Sequence, residues 1–287
     1  LGPFDVHAVP LSHSIPDSVA LAIDTPIGRL VHSGDFKIDY TPAVGEGPNL
    51  AGLARLASEG TLAMFSDSTG VEKVGFTPSE KTIEPAFDKI MRESPGRVIV
   101  ASFASQLNRI QQIIDISHRY NRKVAIVGRS MVQNFETARR LGYLKVPKGV
   151  HVRLETAKKL PPKQVTMMVT GSQGQPEAAL ARMATGRHRD IILNADDTVV
   201  ISAHPIPGNE EEVGRSTDPD APGVRLSEKV TALPGGCGQR LPRLEACLDQ
   251  GLDLPSELVR PQRAAPEVGP GRDWHPGVSG ELHACEP

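Results

Sequence analysis

Five short segments of this 287-residue chain place small polar residues directly after apolar runs: Ser66-Asp67-Ser68-Thr69, Ser102-Phe103-Ala104-Ser105, Gly128-Arg129-Ser130, Thr170-Gly171-Ser172-Gln173-Gly174 and His204-Pro205-Ile206-Pro207-Gly208-Asn209. Hydroxyls, glycine amides and helix N-termini together donate hydrogen bonds to an anion such as phosphate. Serine and glycine are also the commonest cap and turn residues, so one such loop says little. Five on one sheet edge would build a groove for a phosphate or sugar-phosphate ligand. The most specific spacing lies earlier, where HSIPDS (13–18) is followed across a hairpin pattern by HSGDFK (32–37).

The elements that must position these residues follow from apolar periodicity. SVALAI (18–23) and RLVHS (29–33), joined by the Pro/Gly turn DTPIG, predict a β-hairpin that ends a sheet. From residue 61 the apolar runs TLAMFS (61–66), RVIVASF (97–103), KVAIVG (123–128), QVTMMVTG (164–171) and DTVVISA (197–203) begin a βα rhythm. Segments 79–93, 105–119, 130–141 and 176–185 repeat apolar residues every three or four positions, so each predicts a helix covering a sheet face. Continuous apolar strands alternating with such helices predict a buried parallel sheet. Ligands of such sheets bind at the carboxyl ends of the strands, where the five polar loops sit.

The length allows one or two domains with a well-buried core. A formal net charge of −2 excludes a generally basic surface, although a local basic groove would not register in the sum. No window approaches about 18 uncharged apolar residues, and the N-terminus has no basic region before an apolar run. The expectation is therefore a cytoplasmic protein with no membrane partner. Cys237, Cys247 and Cys285 are odd in number and lack paired spacing, which fits neither a disulfide framework nor a zinc ribbon. Composition changes near Ser216: residues 217–287 hold 10 Pro and 9 Gly but no Phe, Tyr, Ile, Met or Asn. Two readings stay open, a Pro/Gly-rich disordered tail or a frame displaced after about Arg215, since the missing types have AT-rich codons.

The paired segments HSIPDS and HSGDFKID resemble metallo-β-lactamase-fold hydrolases, in the form found in the ribonuclease J family. FSDST, FTPSE, ASFASQLNRIQQ, VGRSM, VTGSQGQPEAALARMA and PIPGNE are similar, in the same order, to the β-CASP domain of that family. The resemblance covers about residues 5 to 215. It implies an α/β protein in three parts. Residues 1–60 would be the end of a metallo-β-lactamase αββα domain, and 61–215 a β-CASP domain whose mainly parallel sheet is flanked by helices. Residues 216–287 would be the tail. The activity implied is zinc-dependent hydrolysis of RNA phosphodiesters in RNA processing and decay, by 5′–3′ exonuclease action, endonuclease action or both. Single-stranded RNA, preferably 5′-monophosphorylated, would pass between the two domains, and the intact enzyme would be compatible with a homo-oligomer.

Residue by residue, the resemblance makes His13 a ligand of one of two zinc ions and Asp35 the carboxylate bridging both. Imidazole nitrogen and carboxylate oxygen suit zinc, and a paired site activates water while neutralising phosphodiester charge. Asp67 matches the acidic residue held near the metals, for water orientation or proton transfer. Ser102, Ser105, Ser130, Ser172 and Gly174 would contact the RNA backbone or 5′-phosphate, with His204 lining the groove. Asp17, four residues after His13, would orient that ligand. His32 would pack on the hairpin, while His118, His151 and His188 would be surface residues. The family's HxHxDH motif, source of most zinc ligands, is absent, as are its distal motifs beyond PIPGNE. With one His and one Asp, weak or no zinc binding is expected of this chain. The competing readings are a catalytically inactive RNA-binding or structural piece of such an enzyme, and an unrelated α/β phosphosugar-binding protein. The HSIPDS and GDFK pair argues against the latter.

Overall fold

A computed structural model describes residues 2–72, 74, 75, 77–203, 208, 209, 211, 213, 231 and 232. All of them lie in one compact unit, Leu1–Gln239. His204, the following Pro-Ile-Pro residues and nearly all of the 216–287 tail lie outside the described residues.

The first sheet runs in the order β1-β2-β3-β4. Its antiparallel part comprises β1 (Asp5–Pro10), β2 (Val19–Thr25) and β3 (Gly28–His32), with Leu21 opposite His32 and Thr25 opposite Gly28. Alternation along β2 buries Ala20 and Ala22, and α1 (Leu50–Ser58) follows, capped by the Asn49 side chain on the Gly52 N–H. β4 (Ala63–Phe65) joins this sheet parallel to β3, with His32 beside Phe65. The strand expected at 61–66 as the first of the βα series therefore pairs with the hairpin instead. A three-residue apolar strand fits either sheet by pattern, and its partner is set by tertiary packing.

The second sheet is parallel throughout, in the order β6-β7-β5-β8-β9. Its strands are β5 (Val98–Ala101), β6 (Lys123–Val127), β7 (Val165–Val169), β8 (Thr198–Ile201) and the two-residue β9 (Thr231–Ala232). Every residue of β5, β7 and β8 is buried, as both-faced coverage requires. One face packs Val98, Val100, Val124 and Ile126 against α2 (Glu84–Glu93), α3 (Leu107–Arg119) and α4 (Arg129–Arg140). The other packs Ile99, Ala101, Met167 and Val199 against α5 (Leu154–Ala157) and α6 (Ala179–Ala184). This is the expected α/β architecture, with a parallel sheet between helices. Among the described residues no helix is long and apolar enough to cross a membrane.

The chain leaves β5 for β6, returns to β7, then crosses β5 to reach β8. The ends of β7, β5 and β8 consequently stand side by side, with Ser102 N–H donating to Val169 O at 3.2 Å and Ser202 N–H to Ala101 O at 2.8 Å. Such a reversal opens a crevice beyond the carboxyl ends of the strands.

Candidate functional site

Because β3 and β4 run parallel in register, the segments that leave them emerge together. Ser33 Oγ accepts the Asp67 N–H at 2.9 Å, and Ser33 N–H donates to Phe65 O at 2.9 Å. Gly34, at φ +61°, turns the chain so that exposed Asp35 follows. The carboxylate of Asp67 accepts the Thr69 N–H at 2.9 Å, and the Phe36 amide lies near enough to favour its ionised form. Donors from Thr69 chiefly, then Phe36 and the nearby His13 charge, outweigh partial burial and hold the Asp67 carboxyl below the ordinary 3.8. Asp67 is thus an ionised acceptor joined to the Asp35 segment.

His13 is half-buried in the β1–β2 connection, with Ser14 Oγ 3.3 Å from its Nδ1. Its backbone is held by α3: Asn108 Nδ2 donates to His13 O at 3.2 Å, and the Leu107 N–H donates to Ser14 O at 3.1 Å. Asp17 does not support His13. Its carboxylate takes the Tyr143 hydroxyl, from a residue 126 positions later, and its backbone sits at φ +60°. His32 does sit on the hairpin, exposed, its ring stacked on Phe65 at 6.3 Å and its Nδ1 accepting from Gly34. His151 is not a surface residue: it lies half-buried 4.7 Å from the Phe135 ring, and burial lowers its pKa.

His13, Asp35 and Asp67 therefore border one loop cluster, and the nearness of His13 to Asp67 is electrostatic. Among the described residues no three His, Cys, Asp or Glu side chains converge as a metal site requires. By themselves the described donors do not make up a closed zinc centre.

The second group lies at the parallel sheet's carboxyl edge. Ser105 and Ser130 are exposed, whereas Ser102, Ser172 and Gly174 are buried, and Ser102 Oγ has no hydrogen-bond partner among the described residues. Gly128, at φ +104°, lets the ends of β6 and β7 meet closely. The 171–174 segment is a tight turn closed by Gly174 N–H to Gly171 O at 3.1 Å. The helix expected from Pro176 starts at Ala179 instead, so it does not begin directly after the Ser172 turn. Pro176 and Glu177 form a turn there, and the Thr170 carbonyl takes the Leu180 N–H at 3.0 Å. Sequence reasoning missed Glu80 and Arg109, buried charges between the two loop groups, because their partners lie far apart along the chain.

Residues 95–219, from before β5 to beyond β8, match the family described as Ribonuclease J, beta-CASP domain. Ribonuclease J of Helicobacter pylori strain J99 is 45% identical over 213 residues, 74% of this chain and 31% of that protein. Residues 95–219 are therefore a β-CASP domain of the ribonuclease J type. Ribonuclease J of Synechocystis is 45% identical over 215 residues, covering 75% of this chain and 34% of that protein. Ribonuclease J of Thermus thermophilus is 46% identical over 205 residues, 71% of this chain and 36% of that protein. The chain spans about a third of the length of these curated relatives. A solved structure of a protein of unknown function from Enterococcus faecalis V583 superposes on 81% of this chain and 54% of that chain, with TM-score 0.47 and 15% identity.

Proposed function

We propose that this chain provides the RNA-guiding part, and a share of the catalytic loops, of a ribonuclease J-type enzyme that hydrolyses RNA phosphodiesters. The observation that carries the reading is the identity of 45% and 46% with Ribonuclease J proteins across three quarters of the chain. Single-stranded RNA would follow the carboxyl edge of the parallel sheet, its phosphates facing the donors of the strand-end loops. The exposure of Ser105 and Ser130 supports direct contact by their hydroxyls. Ser102, Ser172 and Gly174 shape the floor of that edge.

In a complete enzyme that supplies the remaining ligands, His13 and Asp35 would hold part of a zinc site whose chemistry is water activation and neutralisation of phosphodiester charge. The work of this chain's own residues is separable from that. Asp67, kept ionised by the Thr69 and Phe36 amides, can accept a hydrogen bond from an attacking water and hold its orientation. Asp35, exposed on the neighbouring segment that leaves β3, presents a second carboxylate. A terminal phosphate carries more charge and more free oxygens than an internal diester, so the edge would favour 5′-monophosphorylated RNA.

The test is a titration of the full chain with single-stranded RNA bearing a 5′-monophosphate or a 5′-hydroxyl. Tighter binding of the monophosphorylated form is expected. Ser172→Ala should reduce that preference by a few-fold to about tenfold, the scale of one hydrogen bond to a charged group. An unchanged preference in a folded variant leaves the glycine-flanked segment a turn and nothing more. Absence of RNA binding by the unaltered chain would overturn the reading as a whole.

A further inference from the structure

Glu80, in the short 3-10 turn Glu80–Ile83 before α2, is 7% exposed and faces two cations. Its Oε1 accepts from Lys37 Nζ at 2.8 Å and its Oε2 from Arg109 at 2.9 Å. Its backbone is fixed as well: the N–H donates to Asp39 Oδ2 at 2.9 Å, and the carbonyl accepts from Gln112 Nε2 at 2.7 Å. Lys37 and Asp39 belong to the segment that carries Asp35. Arg109 and Gln112 belong to the first turns of α3, which begins just after β5. The other arm of Arg109 donates to the Ser202 hydroxyl and, at 3.2 Å, to the Ser202 carbonyl at the end of β8. One buried carboxylate thus links the Asp35 segment to the ends of two parallel strands.

Stability alone does not explain this arrangement. Removing four charged groups from water is expensive, and apolar side chains of similar volume often serve a core equally well or better. An apolar contact, however, tolerates sliding, whereas a carboxylate between two fixed donors specifies distance and direction for both. The neighbour of Lys37 matters here. The Phe36 amide lies near enough to the Asp67 carboxylate to favour its ionised form. The backbone that carries it is tied down by Lys37 N–H to Ser12 O at 2.8 Å and Asp39 N–H to Ser12 Oγ at 3.1 Å, so holding the Lys37 side chain holds that stretch. Asn108 acts alongside on the His13 segment, with Oδ1 accepting the Val44 N–H at 2.7 Å while Nδ2 donates to the His13 carbonyl.

We propose that Glu80 is a positioning residue: through Lys37 on one side and Arg109 on the other, it sets where Asp35 and Asp67 stand relative to the ends of β5 and β8. That this placement serves hydrolysis rests on the ribonuclease reading. The placement itself does not.

Amide hydrogen exchange of the full chain, read by NMR without RNA or metal, tests it. Lys37→Met breaks the link while leaving the Glu80–Arg109 pair in place, and Lys37→Arg restores a cation. In Lys37→Met the Asp39 amide, which donates to the buried Ser12 hydroxyl at 3.1 Å, should exchange a few-fold to about tenfold faster, the scale of one hydrogen bond, while the β5 amides Val98–Ala101 exchange as before. Lys37→Arg should return Asp39 close to its original rate. Glu80→Gln should loosen Asp39 in the same selective way, and Lys37→Met carries the test if that variant does not fold. Unchanged exchange at Asp39, equal acceleration in β5, or no rescue by arginine would each overturn the proposal. Failure of the unaltered chain to bind RNA would instead overturn the ribonuclease reading and leave the exchange result intact.

Discussion

At Gly128 the backbone takes φ +104°, and a Cβ built there would stand 2.7 Å from Thr170 Oγ1. The first condition disfavours any L side chain, and the second forbids one unless the ends of β6 and β7 separate. Gly128→Ala should therefore cost about 2 to 3 kcal/mol, read as a lower urea midpoint with an unchanged slope. An unaltered midpoint would mean that Thr170 yields freely. The sequence reads this glycine as part of an anion loop, and nothing local reveals its packing role, because Thr170 arrives from another strand. The same holds for Asp17. Its closeness to His13 along the chain suggested a supporting bond, yet the Tyr143 hydroxyl, distant in sequence, captures its carboxylate. Asp67 was legible as a strand-end carboxylate, but the nearness of the Phe36 amide depends on the parallel register of β3 and β4. His13 and Asp35 stood out by motif, whereas Glu80 and Arg109 carry no local mark of the pair they form.

Between α3 and β6 lies Arg122, whose guanidinium donates to four backbone carbonyls. One arm donates to Gly96 O at 3.0 Å and Val165 O at 3.3 Å, the other to Met91 O at 3.2 Å and Ser94 O at 3.0 Å. Met91 and Ser94 end α2, where the helix dipole is negative, so the cation ties that end to the start of β7. Burial lowers the Arg122 pKa, but an arginine remains charged at neutral pH. Arg122→Met would leave these acceptors unsatisfied, and a loss of about 3 kcal/mol or more is expected in thermal or urea unfolding. Lysine, a compact cation without the planar fork, should recover only part of it. A loss within about 0.5 kcal/mol would show that water replaces the guanidinium. At this scale much was readable: β5 to β8 and α2 to α4 lie where apolar periodicity puts them, since long buried runs and amphipathic spacing are strong local signals. β1, α1 and α5 were not anticipated. β1 is exposed along most of its length, α1 carries Gly52 inside it, and α5 has four residues, so none presents a sustained period.

Across the whole molecule the titrating groups lean in one direction, which sets how stability responds to acid. His151 and His188 are both lowered from 6.5, burial being the largest cause in each. A base whose folded pKa is depressed favours folding above its unfolded value and loses that contribution as pH falls through the folded one. Stability should therefore begin to decline below about pH 6.5, by at most roughly 1.4 kcal/mol per pH unit for each proton excluded. A second decline follows near and below pH 4. Asp39 and Glu80 are lowered from 3.8 and 4.5: burial pushes each upward, but amide donors on Asp39, and Arg109 with Lys37 on Glu80, outweigh it. Asp67 adds to this limb, while Asp115, raised by burial, opposes it. The two declines are separable by mutation. His151→Gln should flatten the slope of urea stability between pH 7 and 5 without moving the lower limb, because residue 151 packs on Phe135 and is remote from the Glu80 pair. Lys37→Met should do the reverse, since it removes one of the two cations that keep Glu80 ionised, and should shift the acid limb toward higher pH. Equal slopes in His151→Gln and the unaltered chain would assign the first decline to His188 or to groups outside this balance.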